Sequence, residues 1–257
     1  MPAPTIVRVV EREARVYRRL WRGSAFSTFV IPTIFLLAMG RGLGGLIDQR
    51  TASVAGLSYL QFVTPGLLAG TVMQGAAPAS MWPVMAGFKW VRFFHGVVAT
   101  PVSAGDVYGG YVVWIGLRMT AAAAAFVAVG ALLGGVPSAW GVLAVPFAAL
   151  CAMAFIAPLA AYAATQSTDI TFGVVMRLVI MPLFLFSGTF FPVTQLPGWL
   201  QVAARFSPLW HGVELCRAAT TGTLEWPSMA VHVVVLTAVV VAGWMWGTRS
   251  FTRKLAP

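Results

Sequence analysis

A cluster of arginines beside an apolar segment is the feature that most constrains this chain. Six arginines between positions 8 and 22 precede the apolar stretch 24–39. Guanidinium groups are costly to place in a bilayer, and basic residues that flank a span stay on the cytoplasmic side. The junction therefore predicts a chain that enters a membrane and leaves its N-terminus in the cytoplasm. The six are Arg8, Arg12, Arg15, Arg18, Arg19 and Arg22.

The composition extends this prediction to the whole chain. Of 257 residues, 59% are hydrophobic and only 9% are charged, whereas about a quarter of an ordinary soluble domain is charged. The net charge of +10 falls at predicted membrane boundaries, so no nucleic-acid partner is expected. The two cysteines, Cys151 and Cys216, stand in different segments and predict no disulfide framework.

Segments of roughly 20 apolar residues, the length that crosses a bilayer, predict an all-α membrane protein with six transmembrane helices. An even number of spans returns the C-terminus to the cytoplasm, and the basic tail Arg249, Arg253 and Lys254 agrees with this. Four arginines in loops assigned to the outside oppose it: Arg41, Arg50, Arg205 and Arg217. The predicted spans are 24–40, 59–83, 107–133, 139–165, 173–191 and 228–248.

The segment 1–23 alternates arginines with apolar residues at helical spacing. This pattern is typical of an amphipathic helix on the inner membrane surface. The same helix could instead grip a cytoplasmic partner. Its basic face includes Arg12, Arg15 and Arg19.

Two loops are unusual. The stretch 87–108 is too mixed to span and predicts a short surface helix followed by the start of the third span, with Ser103 as N-cap and Asp106 in the first turn. The stretch 192–226 is apolar but broken by prolines into pieces of about ten residues, too short to cross. Because such pieces can dip in and return, it predicts a re-entrant helical hairpin on the extracytoplasmic side. The chain is thus read as one transmembrane domain, 1–257, with spans one to five in 24–191 and the last span and tail in 227–257.

Motifs for catalysis or nucleotide binding are missing. The histidines His95, His211 and His232 lie in three different segments, and no metal-protease or serine-hydrolase motif is present. The only lysines, Lys89 and Lys254, are not part of a phosphate-binding loop. We therefore expect no enzyme activity, no metal and no bound cofactor in this chain, and any ATP would be bound by another chain.

Charged residues inside the predicted spans usually face a polar cavity or a partner. For Arg177 the favoured interpretation is instead that its side chain reaches the inner headgroups. Arg118 could face a polar cavity or another helix. Gly66 and Gly70 have the spacing of close helix contacts. Packing within the chain is the favoured reading for them, and dimerisation is the alternative.

Three stretches carry a family resemblance. The segments 185–197, with Phe-Pro-Val-Thr-Gln-Leu-Pro, and 203–209, with Ala-Ala-Arg-Phe-Ser-Pro-Leu, resemble the end of the permease subunit in type-2 ABC exporters. The segment 59–74 resembles the second span of that family, and 100–106 resembles its inner loop. The branch that exports lipooligosaccharide and nodulation factor is most similar, with drug-resistance permeases next.

The resemblance implies a half-transporter with both termini inside a bacterial plasma membrane. A second permease copy or a homologous permease would complete the pathway among membrane lipids, and two copies of a separate ABC ATPase subunit would bind ATP and Mg. It also assigns the contact with the ATPase and an outer gate by position. The coupling residues are Lys89, Trp90, Arg92, His95, Pro101 and Asp106, and the gate residues are Phe191, Pro192, Leu196, Pro197, Trp199 and Pro208.

The implied activity is export of an amphiphilic or lipid-linked substrate, or of a hydrophobic drug, by alternating access. His95 departs from the family, since many relatives have an acidic residue there. Two other functions stay open: an ion-gradient-driven carrier, and an intramembrane enzyme or scaffold without transport. The residues expected to line a pathway are Met73, Gln74, Arg118 and Met176.

Overall fold

The computed structural model describes residues 5–19, 33–45 and 56–255. The regular elements in these ranges are helices. A π-helical turn, Ala86–Trp90, continues α3, and a 3₁₀ turn, Ala139–Leu143, leads into α6. The helices are α1 Thr5–Tyr17, α2 Leu37–Leu43, α3 Tyr59–Met85, α4 Phe93–Val98, α5 Ala104–Leu132, α6 Ala144–Thr165, α7 Ile170–Phe186, α8 Gly198–Arg205, α9 Pro208–Thr221 and α10 Trp226–Leu255.

Three of the described helices are long and apolar enough to cross a membrane: Ala104–Leu132, Ala139–Thr165 and Trp226–Leu255. They coincide with the third, fourth and sixth predicted spans. The helix α7 is apolar but shorter, and α3 has 27 residues with three internal prolines. The predicted span 24–40 lies mostly outside the described residues, so the six-span topology stays a prediction.

The helix α6 lies at the centre of the bundle and packs against α3, α5, α9 and α10. Its buried face is rich in alanine, including Ala152, Ala157 and Ala160. Small side chains let helix backbones approach closely, which matters where lipid removes the hydrophobic drive between helices. Gly243 of α10 serves the same purpose, because a Cβ there would lie 2.7 Å from the backbone nitrogen of Pro158.

Gly66 and Gly70 pack inside the chain, as the favoured reading predicted. A Cβ on Gly66 would lie 2.6 Å from the carbonyl oxygen of Thr189, and one on Gly70 would lie 2.4 Å from the ring of Phe184. The two glycines therefore admit the end of α7 and the turn that follows it. Both contacts are made within one chain.

We expect Gly66→Ala to destabilise the bundle by about 1–3 kcal/mol, because the added methyl group overpacks against the Thr189 backbone. Gly173→Ala in α7 is the matched control, since a Cβ there meets nothing within 4 Å and alanine favours a helix. Thermal unfolding in detergent measures both. Equal melting temperatures for the two variants would contradict the packing role of Gly66.

Candidate functional site

The loop between α3 and α5 changes direction at Arg92. The N–H of Val91 donates to the carbonyl of Ala86 at 2.8 Å and closes the π-helical turn. Arg92 then has a φ of 55°, in the left-handed region that non-glycine residues rarely adopt. This reverses the chain into α4, which is the short helix that the sequence predicted here.

The start of α5 is capped as predicted. The Ser103 hydroxyl accepts a hydrogen bond from the Asp106 N–H at 3.1 Å, and the Asp106 carboxylate accepts one from the Ser103 N–H at 3.4 Å. The same carboxylate accepts a hydrogen bond from the Thr5 hydroxyl at 2.9 Å. Asp106 therefore caps its own helix and also holds the beginning of α1.

Four aromatic side chains, here called the inner aromatic cluster, fix the loop to the bundle: Phe88, Phe94, Tyr108 and Phe251. The ring of Phe88 lies 4.9 Å from that of Phe94 and 4.8 Å from that of Phe251, measured between centroids. Tyr108 lies 5.1 Å from Phe251. Phe94 is only 1% exposed, so the loop is clamped between α5 and α10.

Two lysines hold the loop and the C-terminal tail against the end of α6. The Lys89 ammonium group donates to the carbonyl of Ser167 at 2.8 Å, and that of Lys254 donates to Ala164 and Gln166 at 2.6 and 3.0 Å. The carbonyl end of a helix favours cations. Lys89 was expected to contact an ATPase, and the structure gives it an internal partner.

Four other side chains of the loop face outward. Trp90 is 55% exposed and Val91 is 69% exposed, and Arg92 and His95 are also exposed. We call these four residues the inner loop surface. Pro101 is exposed further along, whereas Asp106 is partly buried beneath the loop. A rigid base thus presents a small surface that is both apolar and basic.

The N-terminal helix α1 runs beside the first turns of α5, in the same direction. Val9 is buried and faces Gly110, where a Cβ would lie 2.6 Å from that of Val9, and the ring of Tyr17 lies 5.6 Å from that of Trp114. The helix ends at Tyr17, earlier than the predicted segment 1–23. The apolar side chains Val9 and Tyr17 of this amphipathic helix therefore pack against α5 of the same chain.

The three arginines of the predicted basic face of α1 have different contacts. Arg12 stacks over the ring of Phe93 in α4 at 4.2 Å and pairs with Glu13. Arg15 makes an exposed pair with Glu11 at 3.7 Å, and Arg19 is exposed after the helix. Arg12 thus joins α1 to the inner loop, while the other two face away from it.

Glu13 is a partly buried acidic residue to which the sequence pattern did not point. Burial raises the pKa of its carboxyl, while the guanidinium groups of Arg12 and Arg118 oppose that shift. Arg118 lies over the ring of Tyr17 at 4.9 Å. Arg118 therefore makes a contact between helices, which was one of its two predicted roles.

The other pathway candidates do not share one environment. Met73 is fully buried in the core between helices. Gln74 and Met176 are partly buried, on α3 and in the π-helical turn of α7. Met73 therefore packs against neighbouring helices and offers no surface to a cargo in this conformation.

The segment 192–226, which the sequence predicts to lie outside, contains two short helices, α8 and α9, joined through Phe206 and Ser207. The hydroxyls of Ser187 and Ser207 are 3.0 Å apart and buried, which ties the end of α7 to the start of α9. With 14 residues, α9 is too short to cross a bilayer. It packs against α3, α6 and α10.

Arg217 fastens α9 in place. Its guanidinium group donates to the carbonyl of Gly188 at 2.7 Å and to Glu214 at 2.6 Å, and it lies 4.4 Å from the centroid of Phe62. Arg217 was one of the arginines that opposed the predicted topology. Its internal partners give a structural reason for a cation at this position.

The predicted gate residues are spread from the end of α7 to the start of α9. Phe191, Pro192 and Leu196 are partly buried, and Gln201 holds this stretch by donating to the carbonyl of Leu196 at 2.9 Å. Pro197 and Trp199 are exposed at the start of α8, and Pro208 is the first residue of α9. The segment is compact, but its side chains do not meet at one point.

A histidine pair escaped the sequence analysis, which left His211 and His232 in separate segments. Their Nδ1 atoms are 2.7 Å apart, and the ring of Trp210 lies 4.9 and 5.0 Å from the two rings. No group of three metal-ligating residues occurs in the described ranges. Because His211 lies on α9 and His232 on α10, the pair joins these two helices. Its one sequence signal is that the two histidines stand at similar distances on either side of Gly222.

Comparison with known proteins finds one family and several relatives. The ABC-2 type transporter family matches residues 5–220. Nodulation protein J of Rhizobium meliloti (strain 1021) is 26% identical over 251 residues, covering 98% of this chain and 94% of the relative. Nodulation protein J of Rhizobium leguminosarum bv. trifolii is 29% identical, with 93% and 92% covered. The inner membrane transport permease YadH of Escherichia coli (strain K12) is 24% identical, with 89% and 88% covered.

We expect Phe94→Ala to cost about 3–5 kcal/mol of stability, as for other buried phenylalanines, and to expose the inner loop to protease. Val91→Ala is the control, because its side chain is largely exposed. Limited proteolysis combined with thermal unfolding measures both effects. A Phe94→Ala chain as resistant as the Val91→Ala chain would show that the inner aromatic cluster does not hold the loop.

A second prediction concerns pH. A carboxyl whose pKa is raised on folding stabilises the folded state at low pH, and that stabilisation is lost as pH rises through its titration. We expect Glu13→Gln to reduce the fall in melting temperature between acidic and neutral pH. Glu11→Gln, which removes an exposed carboxylate from the same helix, should leave the fall in place. An equal fall in melting temperature in the Glu13→Gln and Glu11→Gln variants would show that the burial of Glu13 does not cause the pH dependence of stability.

Proposed function

The chain belongs to the ABC-2 type transporter family, and from this premise we propose that it exports an amphiphilic or lipid-linked cargo, or a hydrophobic drug, from a bacterial cell. Family membership makes it a membrane subunit of an ABC transporter that works with an ABC ATPase subunit. The direction of transport and the class of cargo are our proposal. They are supported by the relatives called nodulation protein J and by the apolar character of the spanning helices.

We propose that the ATPase docks on the inner loop surface. The observation that supports this most is the contrast within the loop: Trp90, Val91 and Arg92 are exposed, while Phe88 and Phe94 are buried. An exposed tryptophan beside an arginine is the composition of an interface hot spot. Because Phe88 and Phe94 fix the loop to the bundle, movement of a docked ATPase would displace the ends of the helices instead of bending the loop.

The proposed cycle is alternating access. Two permeases, identical or homologous, would form the pathway, and two ATPase subunits would bind ATP and Mg beneath them. Nucleotide can drive the cycle only through unequal affinity for the inward-open and outward-open states. Both termini would be cytoplasmic, and α8 and α9 would form a re-entrant hairpin whose movement opens the outer gate.

We expect Trp90→Ala combined with Arg92→Glu to weaken binding of the ATPase by at least about 30-fold, since loss of even one hot-spot side chain costs about 2 kcal/mol. Lys89 is left unchanged because it has an internal partner. The control is Arg205→Glu, which reverses an exposed charge in the predicted outer segment. Binding of the separately purified ATPase to each variant in detergent gives the affinities.

Two results would count against the proposal. Unchanged ATPase binding by the double variant would remove the inner loop surface as the docking site. ATP hydrolysis by the purified permease alone, at a rate equal to that of the complex, would show that no separate motor is needed.

A further inference from the structure

The C-terminal half of α10 carries one continuous face that changes from apolar to basic. Val241 and Met245 are exposed, and Arg249 and Arg253 follow at successive intervals of four residues. Residues four apart lie above one another on a helix. A face that passes from apolar to basic, beside the exposed Trp246, is typical of a helix leaving lipid tails for the headgroup layer.

A groove of about 440 Å³ lies beside this face, between α10 and the end of α6. Three of its lining side chains are cationic, and none of the described lining residues is acidic. Two hydroxyl groups, an indole and the methyl group of Ala164 complete the lining. The residues that matter here are Thr165, Trp246, Arg249, Ser250, Arg253 and Lys254.

The cations of the groove differ in what they already bind. Lys254 donates to the carbonyls of Ala164 and Gln166. Arg249 and Arg253, in contrast, make no ion pair or side-chain hydrogen bond within residues 5–19, 33–45 and 56–255. Each guanidinium group therefore keeps its planar set of N–H donors, which fits the oxygens of a phosphate group.

We propose that this groove binds the phosphate of an anionic phospholipid, with Arg249 and Arg253 as its ligands and Trp246 against the glycerol region. Basic pockets between helices at the cytoplasmic side of a membrane have the chemistry to hold such headgroups. The exposed apolar side chains of Val241 and Met245 directly along the same face favour a lipid over a soluble anion, because acyl chains can cover them. The proposal requires α10 to span the bilayer, and it is independent of the cargo and of the ATPase.

A lipid in this groove would also act on the inner loop. Lys254 and Phe251, on the same turns of α10, contact the end of α6 and the inner aromatic cluster. A lipid that fills the groove would contact Arg249 and Arg253 of α10 together with Thr165 at the end of α6, and would therefore favour the packing of these two helices. Anionic lipid would in this way stabilise the base on which the inner loop rests.

The test measures lipid retained by the purified full-length chain, by native mass spectrometry in detergent with added phosphatidylglycerol or phosphatidylcholine. We expect one phosphatidylglycerol to bind in preference to phosphatidylcholine. Arg249→Gln with Arg253→Gln should weaken its binding about 25-fold, taking about fivefold for each cation lost. Arg249→Lys with Arg253→Lys should weaken the binding less than the glutamine pair does, because the charge is kept while the planar set of donors is lost, and this separates loss of charge from loss of folding.

The control is Arg205→Gln, which removes an exposed cation that does not line the groove and should leave the retained lipid unchanged. Equal loss from this control, or equal retention of phosphatidylcholine, would overturn the proposal. Competition by inorganic phosphate as strong as that by phosphatidylglycerol would show a site for a free anion instead. Loss of ATPase binding with lipid retention intact would show that the two arginines dock a protein.

Discussion

Burial of Phe94 is the interaction that fixes the loop between α3 and α5 to the helix bundle. The ring fits against Gly87, where a Cβ would lie 2.3 Å from it, and contacts Phe88, Tyr111 and Phe251. A loop of mixed composition has little reason to hold one shape at a membrane surface. Here one aromatic side chain joins α4 to α3, α5 and α10, so that the exposed residues of the loop stand on a fixed base.

In the interior, small residues allow the helices to pack closely. A bilayer gives apolar helices no hydrophobic reason to associate, so close contact must come from shape. Gly66 and Gly70 admit the end of α7, Gly212 admits Cys151, and Gly243 admits the backbone of α6 at Pro158. Much of the glycine in this chain can therefore be understood as space for a neighbouring segment.

The sequence predicted the parts of the fold that depend on neighbouring residues. Long apolar runs located α5, α6 and α10, and Ser103 with Asp106 marked the start of α5. What it could not reveal depends on distant partners: Lys89 with Ser167, and His211 with His232. The amphipathic pattern of α1 was also ambiguous, because an apolar stripe can face either lipid or another helix. In the structure Val9 packs against Gly110 of α5, so part of the stripe faces a helix.

Long-range contacts fix both ends of α6. At one end, Lys89 and Lys254 bind carbonyls in the last turn of α6 and just after it. At the opposite end, the Cys216 thiol donates to the carbonyl of Ala144, at the start of α6, at 3.7 Å. The helices α3 and α6 both reach from the loop region to α9. Energetic coupling between distant sites is carried by packed side chains, hydrogen bonds and rigid secondary elements. In this bundle α3 and α6 join the loop region to α9, which is held by its buried side chains and by hydrogen bonds from Ser207, His211 and Arg217.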